Sequence, residues 1–357
     1  MIRHIVAKGV FISSFLCLIS DYSAFALNES KCKLVGAYVG NCSKVEKIIP
    51  LAKKGINAIV VDVKNDEGRL LLDLDKDGEE ISKFVKKLKK NNFYTIARIV
   101  AFKDKMKVKQ NQSWAICNPD GSLYVDKEKM SWLNPYNREV QKYLIKLAKK
   151  AIKAGFDEVQ YDYIRFSVYK SLNETDIAEN FIIKSKVEII NDFLKKATEK
   201  VHKHGGKISA DVFGCIIPYL FSGWEENAAV LGQDYEKIAA IVDYICPMVY
   251  PSHFPLKFSP MREIVLQNGK TKKMHFNAPD LHPYEIIRES LLASDKSSVD
   301  KNKVRPWLQC FSASWLKGNN WKRYNNVDVQ KQIDATTDQN ISQCCIWNPG
   351  ANYSILN

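Results

Sequence analysis

The sequence lacks any apolar run of the roughly 20 residues that a membrane-spanning helix needs. The apolar run nearest its start, residues 10–19, has only ten residues. Arg3 and Lys8 precede this run and the triplet Ala-Phe-Ala at 24–26 follows it, which is the pattern of a secretory signal. The shortness of the run disfavours the alternative of a membrane anchor. We therefore expect residues 1–26 to be a cleaved signal peptide. The mature chain should be periplasmic or secreted, with no stable membrane insertion.

Sequence motifs of several enzyme classes are absent as well. Residues 40–43, Gly-Asn-Cys-Ser, follow the first strand-like run and contain neither of the glycine patterns of nucleotide-binding turns. The sequence contains no Gly-x-Ser-x-Gly elbow, the motif that would indicate a serine hydrolase. No Cys-x-x-Cys pair joins a second ligand cluster, which argues against a structural zinc site. We expect a protein that needs no cofactor.

Histidine is scarce, with six residues. His202 and His204 resemble a metal-binding pair, but they precede a strand-like run, at the end of a predicted helix. His253, His275 and His282 share one long connection, where they could reach a substrate but lack the strand-borne ligands of a hydrolytic metal site. We therefore predict no metal.

Cysteine is more frequent, with eight of the nine residues beyond position 26. Five of them lie in apolar strand-like runs, where cysteine behaves as a small buried hydrophobe: Cys215, Cys246, Cys310, Cys344 and Cys345. Cys32, Cys42 and Cys117 lie in less regular segments, and an oxidising compartment permits a disulfide among them. The sequence does not specify their pairing.

Basic residues exceed acidic ones, giving a net charge of +13. Much of this charge lies in runs with helical spacing, such as residues 86–90 and 146–150. The preferred explanation is therefore that these residues form the solvated outer faces of helices. An anionic polymer remains a second explanation, and nucleic acid is not indicated. The oligomeric state is not specified by the sequence.

Short β-branched runs alternate with longer amphipathic patterns along the chain, which is typical of βα units with a parallel sheet. The predicted strands are residues 35–40, 56–64, 94–100, 158–166, 207–214, 244–250, 304–311 and 343–348. The predicted helices are residues 45–54, 79–90, 137–154, 177–204, 235–241 and 327–337.

Eight such units in roughly 320 residues predict an α/β fold, a single (β/α)8 TIM barrel over residues 27–357. A doubly wound sheet is the competitor, but it usually carries a glycine-rich turn after its first strand. The connections 101–136 and 251–303 are long, as expected of loops on the active face of a barrel.

Polar side chains come late in the predicted strands, at the end where barrel enzymes build their active sites. They are Asp62, Lys64, Arg98, Gln160, Asp162, Arg165, Asp211, Tyr250, Gln309, Trp347 and Asn348. Because strand side chains alternate, Asp62 should share a face with Lys64, and Gln160 with Asp162. A buried, unpaired carboxylate is costly, so these groups are either paired in an ion-pair layer that closes the barrel or functional.

Paired carboxylates beside aromatic and guanidinium groups are the equipment of glycoside hydrolysis. Asp162 is the first candidate for a catalytic carboxylate, Asp211 is its best partner, and Asp62 comes next. The other polar strand-end residues are the predicted substrate-binding groups. Which carboxylate acts as acid depends on burial and neighbours, which the sequence leaves open.

Several long segments resemble one family of secreted bacterial proteins. Examples are IVVDVKNDEG at 59–68, WLNPYNREV at 132–140, FDEVQYDYIRF at 156–166 and IWNPGANY at 346–353. Together with further matches in the same order, they make the chain similar to the putative glycosyl hydrolase domain family over nearly the whole mature length.

That resemblance implies a TIM barrel that acts on carbohydrate. It implies that Asp162 is the principal catalytic carboxylate and that Asp62, Asp211 and Tyr250 line the pocket. One departure concerns the seventh strand, where the family usually has Asp after RPWLQ and this chain has Cys310. If that Asp were the family's acid, this member would be weakened or inactive.

The predicted function is hydrolysis of glycosidic bonds in an extracytoplasmic polysaccharide or oligosaccharide. A catalytically silent carbohydrate-binding barrel, keeping Tyr163, Arg165 and Trp347, is the alternative from another class. A metal-dependent polysaccharide deacetylase is the third.

Overall fold

The computed structural model describes residues 32–40, 44–70, 78–167, 184–265 and 270–356. The predicted signal peptide and Cys42 lie outside the described residues. In the part that is described, no helix is both long and apolar enough to cross a membrane.

The elements follow one another as alternating strands and helices. The strands are β1 Leu34–Gly40, β2 Ala58–Lys64, β3 Tyr94–Val100, β4 Glu158–Asp162, β5 Lys207–Phe213, β6 Tyr244–Met248, β7 Glu263–Val265, β8 Thr271–Lys273, β9 Trp307–Gln309 and β10 Gln343–Trp347. The α-helices are α1 Val45–Ile48, α2 Gly78–Lys90, α3 Lys105–Gln110, α4 Arg138–Lys153, α5 Lys186–His202, α6 Trp224–Leu231, α7 Tyr235–Ile241, α8 Pro283–Asp295 and α9 Asn326–Thr337.

Eight of these strands close into a parallel barrel in the order β1-β10-β9-β6-β5-β4-β3-β2. The closure pairs β1 with β10, for example Val35 with Cys344, so the first and last strands are neighbours. The predicted (β/α)8 barrel is thereby confirmed, and the doubly wound alternative is wrong because the sheet has no open edge. All eight predicted strands are present.

The long connection after β6 contains elements that the periodicity did not predict. A two-stranded antiparallel hairpin, β7 with β8, and the helix α8 both lie there. The fourth strand is shorter than predicted and ends at Asp162, because the next residue, Tyr163, has φ of 50° and leaves the extended conformation.

The larger apolar core packs the outward faces of the strands against the helices, and β2 has all seven residues buried, as expected of a parallel strand that is covered on both sides. The second, smaller core fills the barrel itself with Val60, Ile96, Cys246, Trp307 and Cys345. Gly36 faces this interior, where a Cβ would lie 2.7 Å from the sulfur of Cys345. The barrel interior is therefore packed, and an open cavity can exist only at one of its ends.

The cysteines follow their predicted environments in part. Cys246, Cys310, Cys344 and Cys345 are buried, as expected, whereas Cys215 is partly exposed. The sulfur of Cys32 lies 3.6 Å from that of Cys344, which was not a predicted partner. Cys117 is exposed.

Candidate active site

A cavity of about 210 Å³ opens at the carboxyl end of the barrel strands. Its walls are Tyr38, Arg98, Asp162, Tyr163, Arg165, Asp211, Phe213, Gln233, Met248, Tyr250, His253, Trp307 and Trp347. Two of these residues, Asp162 and Asp211, are carboxylic acids. The cavity therefore has the place and the chemical groups of an active site in this fold.

Arg98 on β3 joins two carboxylates at the ends of its neighbours on either side, β2 and β4. Its Nη1 lies 2.6 Å from Oδ1 of Asp62, and its Nη2 lies 2.6 Å from Oδ2 of Asp162. The hydroxyl of Tyr38 donates to Oδ2 of Asp62 over 2.7 Å. Asp62 thus lies behind Arg98 and is not a wall residue, whereas Asp162 faces the cavity.

Asp162 is positioned by the turn that ends β4. The backbone N–H of Tyr163 donates to Oδ1 of Asp162 over 2.6 Å, and Oδ2 accepts from Nε and Nη2 of Arg98. The positive φ of Tyr163 is uncommon for an aromatic residue and costs of order 1 kcal/mol or more. The sequence YDYIRF therefore places an anion with a fixed orientation at the barrel mouth.

Asp211 is in a different environment on the neighbouring strand β5. It is 2% exposed, and the indole N–H of Trp307 donates to its Oδ1 over 2.7 Å. Burial and then the negative charge of Asp162 raise the pKa of Asp211 well above its ordinary value, and the Trp307 hydrogen bond opposes this less strongly. Burial therefore favours the protonated form of Asp211, and Oδ2, which Trp307 does not contact, is left to carry the proton.

Aromatic rings form the opposite wall. The rings of Tyr250 and Trp347 lie 5.0 Å apart between centroids, and Phe311 packs edge-on against Trp347 at 5.2 Å. Burial lowers the pKa of His253, so this imidazole is neutral at ordinary pH. Such a wall offers flat apolar surface beside hydrogen-bonding groups, as sugar rings require.

Six predicted site residues come together around this cavity. They are Arg98, Asp162, Arg165, Asp211, Tyr250 and Trp347. The remaining five predicted residues are not among its walls: Asp62, Lys64, Gln160, Gln309 and Asn348.

Lys64 is the clearest departure from the alternation argument. A β-bulge between Asp62 and Lys64 shifts the register against β3, so the two side chains do not share a face. Lys64 is fully buried, 3.0 Å from Oδ2 of Asp104, and donates to the carbonyl of Val100 over 2.6 Å. It supports the backbone after β3 and is not among the cavity walls, so the structure gives its predicted substrate-binding role no support.

Three further predicted residues support the frame around the cavity. Gln160 lies deep in the barrel and contacts the sulfur of Cys246 at 3.5 Å. Gln309 accepts from the N–H of Ser252 and donates to Asp280, which fixes the loops at the barrel mouth. The amide of Asn348 donates to the carbonyl of Cys310. The polar groups of Gln309 and Asn348 are therefore used by the protein itself, whereas the buried Oε1 of Gln160 has no hydrogen-bond partner among the described residues.

Cys310 belongs to the outer core, between the barrel and its helices, and is fully buried. Burial raises the pKa of its thiol to about 12. Its side chain is not among the cavity walls, so the residue at position 310 does not contribute to the cavity.

Five wall residues were not predicted from the sequence: Tyr38, Phe213, Gln233, Met248 and Trp307. Tyr38 and Met248 occupy the same late positions in their strands as the residues that were predicted, so the same rule could have found them. Trp307 begins its strand, and its hydrogen bond spans 96 residues of sequence, which no local pattern indicates.

Histidines are dispersed in the structure. His202 ends α5, before β5, as predicted, and hydrogen-bonds Asp243, and His275 contacts Ser259 in the β6 connection. Among the described residues, no three His, Cys, Asp or Glu side chains form a group that could hold a metal ion.

A closed parallel barrel with carboxyl groups at its carboxyl-terminal mouth defines a TIM-barrel protein with an enzyme-like cleft. The family comparison agrees, because the model of the putative glycosyl hydrolase domain matches residues 34–353. The chain belongs to this family. A comparison with curated proteins finds no match.

Two solved structures with TM-scores above 0.5 show the same fold, and a third match covers a shorter part of this chain. The glycoside hydrolase domain of PgaB (BpsB) from Bordetella bronchiseptica is 10% identical, with a TM-score of 0.58 over 90% of this chain and 94% of that one. The C-terminal domain of a putative chitinase from Desulfitobacterium hafniense DCB-2 is 11% identical, with a TM-score of 0.54 over 91% and 98%. A hypothetical protein from Ruminiclostridium thermocellum ATCC 27405 is 34% identical over 49% and 97%, with a TM-score of 0.43.

Proposed function

We propose that the protein is an exported glycoside hydrolase that cleaves a glycosidic bond of an extracytoplasmic polysaccharide. The single observation that carries this proposal is the pair of carboxyl groups in unlike environments. Asp162 is ion-paired with Arg98, whereas Asp211 is buried beside it with a raised pKa. Two neighbouring carboxyl groups whose environments differ in this way suit the two roles in glycoside hydrolysis, one as the anion and the other as the acid.

Each group then has a distinct role. Asp211 donates its proton to the glycosidic oxygen as the bond from the anomeric carbon to that oxygen breaks, so the leaving sugar departs as an alcohol. Asp162 stabilises the positive charge that develops at the anomeric carbon. Water supplies the new hydroxyl, and its remaining proton returns the acid to its starting state.

The surroundings support this division of roles. Trp307 fixes one oxygen of Asp211 and leaves the other for the proton. Tyr250 and Trp347 provide aromatic surface on which a sugar ring can stack. The comparisons add that the family carries the description 'putative glycosyl hydrolase domain' and that the PgaB structure named above is a glycoside hydrolase domain.

The test is the release of reducing sugar from a panel of bacterial and plant polysaccharides by the mature protein. We expect the wild type to release sugar, and Asp162→Asn and Asp211→Asn to lose that activity. Asp295→Asn is the matched control, because Asp295 is 43% exposed and ends α8, away from the cavity. Equal activity in wild type and Asp162→Asn would overturn the proposal. Unchanged activity with a chelator is expected, and chelator-sensitive release of acetate would favour a deacetylase.

A further inference from the structure

Arg165 is a buried cation in the wall of the cavity. It follows β4 by three residues and is 8% exposed. Its guanidinium carbon lies 4.7 Å from the ring centre of Phe213, 4.8 Å from that of Trp132 and 5.2 Å from that of Tyr163. The three rings hold the planar group in place, as cation–π contacts do.

The protein provides few groups that neutralise the positive charge of this guanidinium. Nη1 donates to the carbonyl of Phe166 over 3.0 Å, and no ion pair joins Arg165 to a carboxylate in the described part of the chain. Arg98 and Arg305, the comparable barrel arginines, each pair with buried carboxylates. Burial lowers the pKa of Arg165, because removing its charge from water carries a desolvation cost.

The carboxylates on the other side of Arg165 do not neutralise its charge either. Arg165 also lines a second cavity of about 400 Å³, whose walls include Asp126 and Glu128. Asp126 accepts from the indole of Trp132 over 2.8 Å, and Glu128 pairs with Lys103 over 2.5 Å. Both carboxylates are therefore engaged within the protein, as Asp162 of the first cavity is by Arg98, and none of the three forms an ion pair with Arg165.

We propose that Arg165 is a subsite for an oxyanion carried by the glycan, either the carboxylate of a uronic acid or a sulfate ester. A guanidinium matches such a group with two parallel hydrogen bonds. The protein's net charge of +13 would draw an acidic polymer towards it. The inference rests on the proposed function only in taking the cavity as a sugar site, and it concerns binding and not turnover.

The experiment compares matched ligands by calorimetric titration. Oligogalacturonate is set beside its carboxyl-reduced neutral form, and a chondroitin sulfate fragment beside its desulfated form. Binding is measured in the Asp211→Asn background, so that turnover does not consume the ligand. Into that background we introduce Arg165→Gln, Arg165→Met, which retains packing against the rings, and Arg165→Lys. Lys203→Gln, an exposed site just after α5 at the far end of the barrel, removes the same charge as a control.

With Arg165 present, at least one acidic ligand should bind about 10- to 100-fold more tightly than its neutral partner, as charge-assisted hydrogen bonds allow. The preference should vanish in the Gln and Met variants, shrink in the Lys variant and persist in Lys203→Gln. The carboxylate and sulfate arms identify which oxyanion is preferred. No preference in either arm, or a preference that survives both Arg165→Gln and Arg165→Met, overturns the inference.

The inference and the proposed function fail separately. Arg165-dependent binding of an acidic ligand without any sugar release by the wild type would support the subsite and contradict hydrolysis. Sugar release that treats acidic and neutral polymers alike, in wild type and in Arg165→Gln, would support hydrolysis and contradict the subsite.

Discussion

The barrel has charged groups at both ends, and the two clusters differ in what remains for a ligand. At the amino-terminal end, Arg305 pairs with Glu158 at 2.8 Å, and both side chains are fully buried. Tyr94 and Ser209 donate to the same carboxylate over 3.0 and 2.5 Å, so its oxygens are fully used. Arg305 also donates to Gln343.

At the carboxyl-terminal end, Arg98 holds Asp62 and Asp162 in a similar way, but that cluster opens into a cavity. Beside it stands Asp211, whose protonation is set by burial. We call the amino-terminal cluster of Arg305 and Glu158 the closed end, because its charges are paired within the protein. We call the carboxyl-terminal cluster the open end, because the carboxylate of Asp162, the acid Asp211 and the guanidinium of Arg98 line a cavity of sugar size. The difference indicates that the first cluster stabilises the fold, and under the proposed function the second performs the chemistry.

The largest expected effect is on activity at the open end. Asp162→Asn should lower kcat by about 10³-fold, within the range for loss of a catalytic side chain. Its stability should change little, because Arg98 keeps its ion pair with Asp62. Steady-state kinetics on an active polysaccharide, together with urea denaturation, would measure both. A variant that unfolds while its residual activity per folded molecule stays normal would make Asp162 a structural residue.

At the closed end the effect should be on stability. Glu158→Gln leaves the buried guanidinium of Arg305 without its anion and should lower the free energy of unfolding by about 3–5 kcal/mol. The double variant Glu158→Leu with Arg305→Met removes both charges and should recover most of that loss. Urea denaturation measures the free energies. A large loss of kcat in the folded double variant would remove the distinction between the two ends.

The raised pKa of Asp211, at the open end, predicts how kcat depends on pH. Asp211 must be protonated to act, so kcat should fall as the pH rises through its raised pKa. Asp211→Asn should lower kcat by about 10²-fold at the optimum and lose this falling limb. A falling limb that persists unchanged in the variant would assign it to another group.

The same raised pKa has a consequence for stability. The folded state binds this proton more tightly than the unfolded state, so its stabilisation is complete below the unfolded pKa of about 4 and is lost as the pH rises through the folded value. Asp211→Asn should therefore gain stability relative to the wild type as the pH rises over that interval. Denaturation of both proteins at several pH values measures the difference between their free energies of unfolding. A difference that does not change with pH would contradict the raised pKa of Asp211.

The smallest effect is expected at Cys310. Cys310→Ala should cost about 1 kcal/mol of stability through lost packing and should leave kcat unchanged, because its side chain is in the outer core. Activity and denaturation assays would show whether this holds. A loss of activity without a loss of stability would indicate that position 310 contributes to the cavity after all.

The fold was predictable because eight β-branched runs alternate with amphipathic helices, a pattern that few architectures satisfy. The place of Asp162 and Asp211 followed from the same rule, since the carboxyl ends of parallel strands meet at one mouth. What the sequence could not show was geometry between distant strands. The bulge that turns Lys64 away from Asp62 has no local signal, and neither does the contact of Trp307 with Asp211.

Protonation states were equally hidden from the sequence. Asp162 and Asp211 are the same residue type at equivalent strand ends, and only burial and neighbours separate their roles. The buried and unpaired state of Arg165 is also a property of the assembled barrel.

The most direct test of this account is the titration of Asp211 itself. The carboxyl carbon of Asp211 can be followed by NMR in protein labelled with ¹³C at aspartate, with Asp211→Asn identifying the signal. We predict that the carboxyl group keeps the chemical shift of a protonated acid well above pH 4, the ordinary range of aspartate. Titration of this signal at or below pH 4 would show that Asp211 is ionised at neutral pH and would contradict its role as the acid.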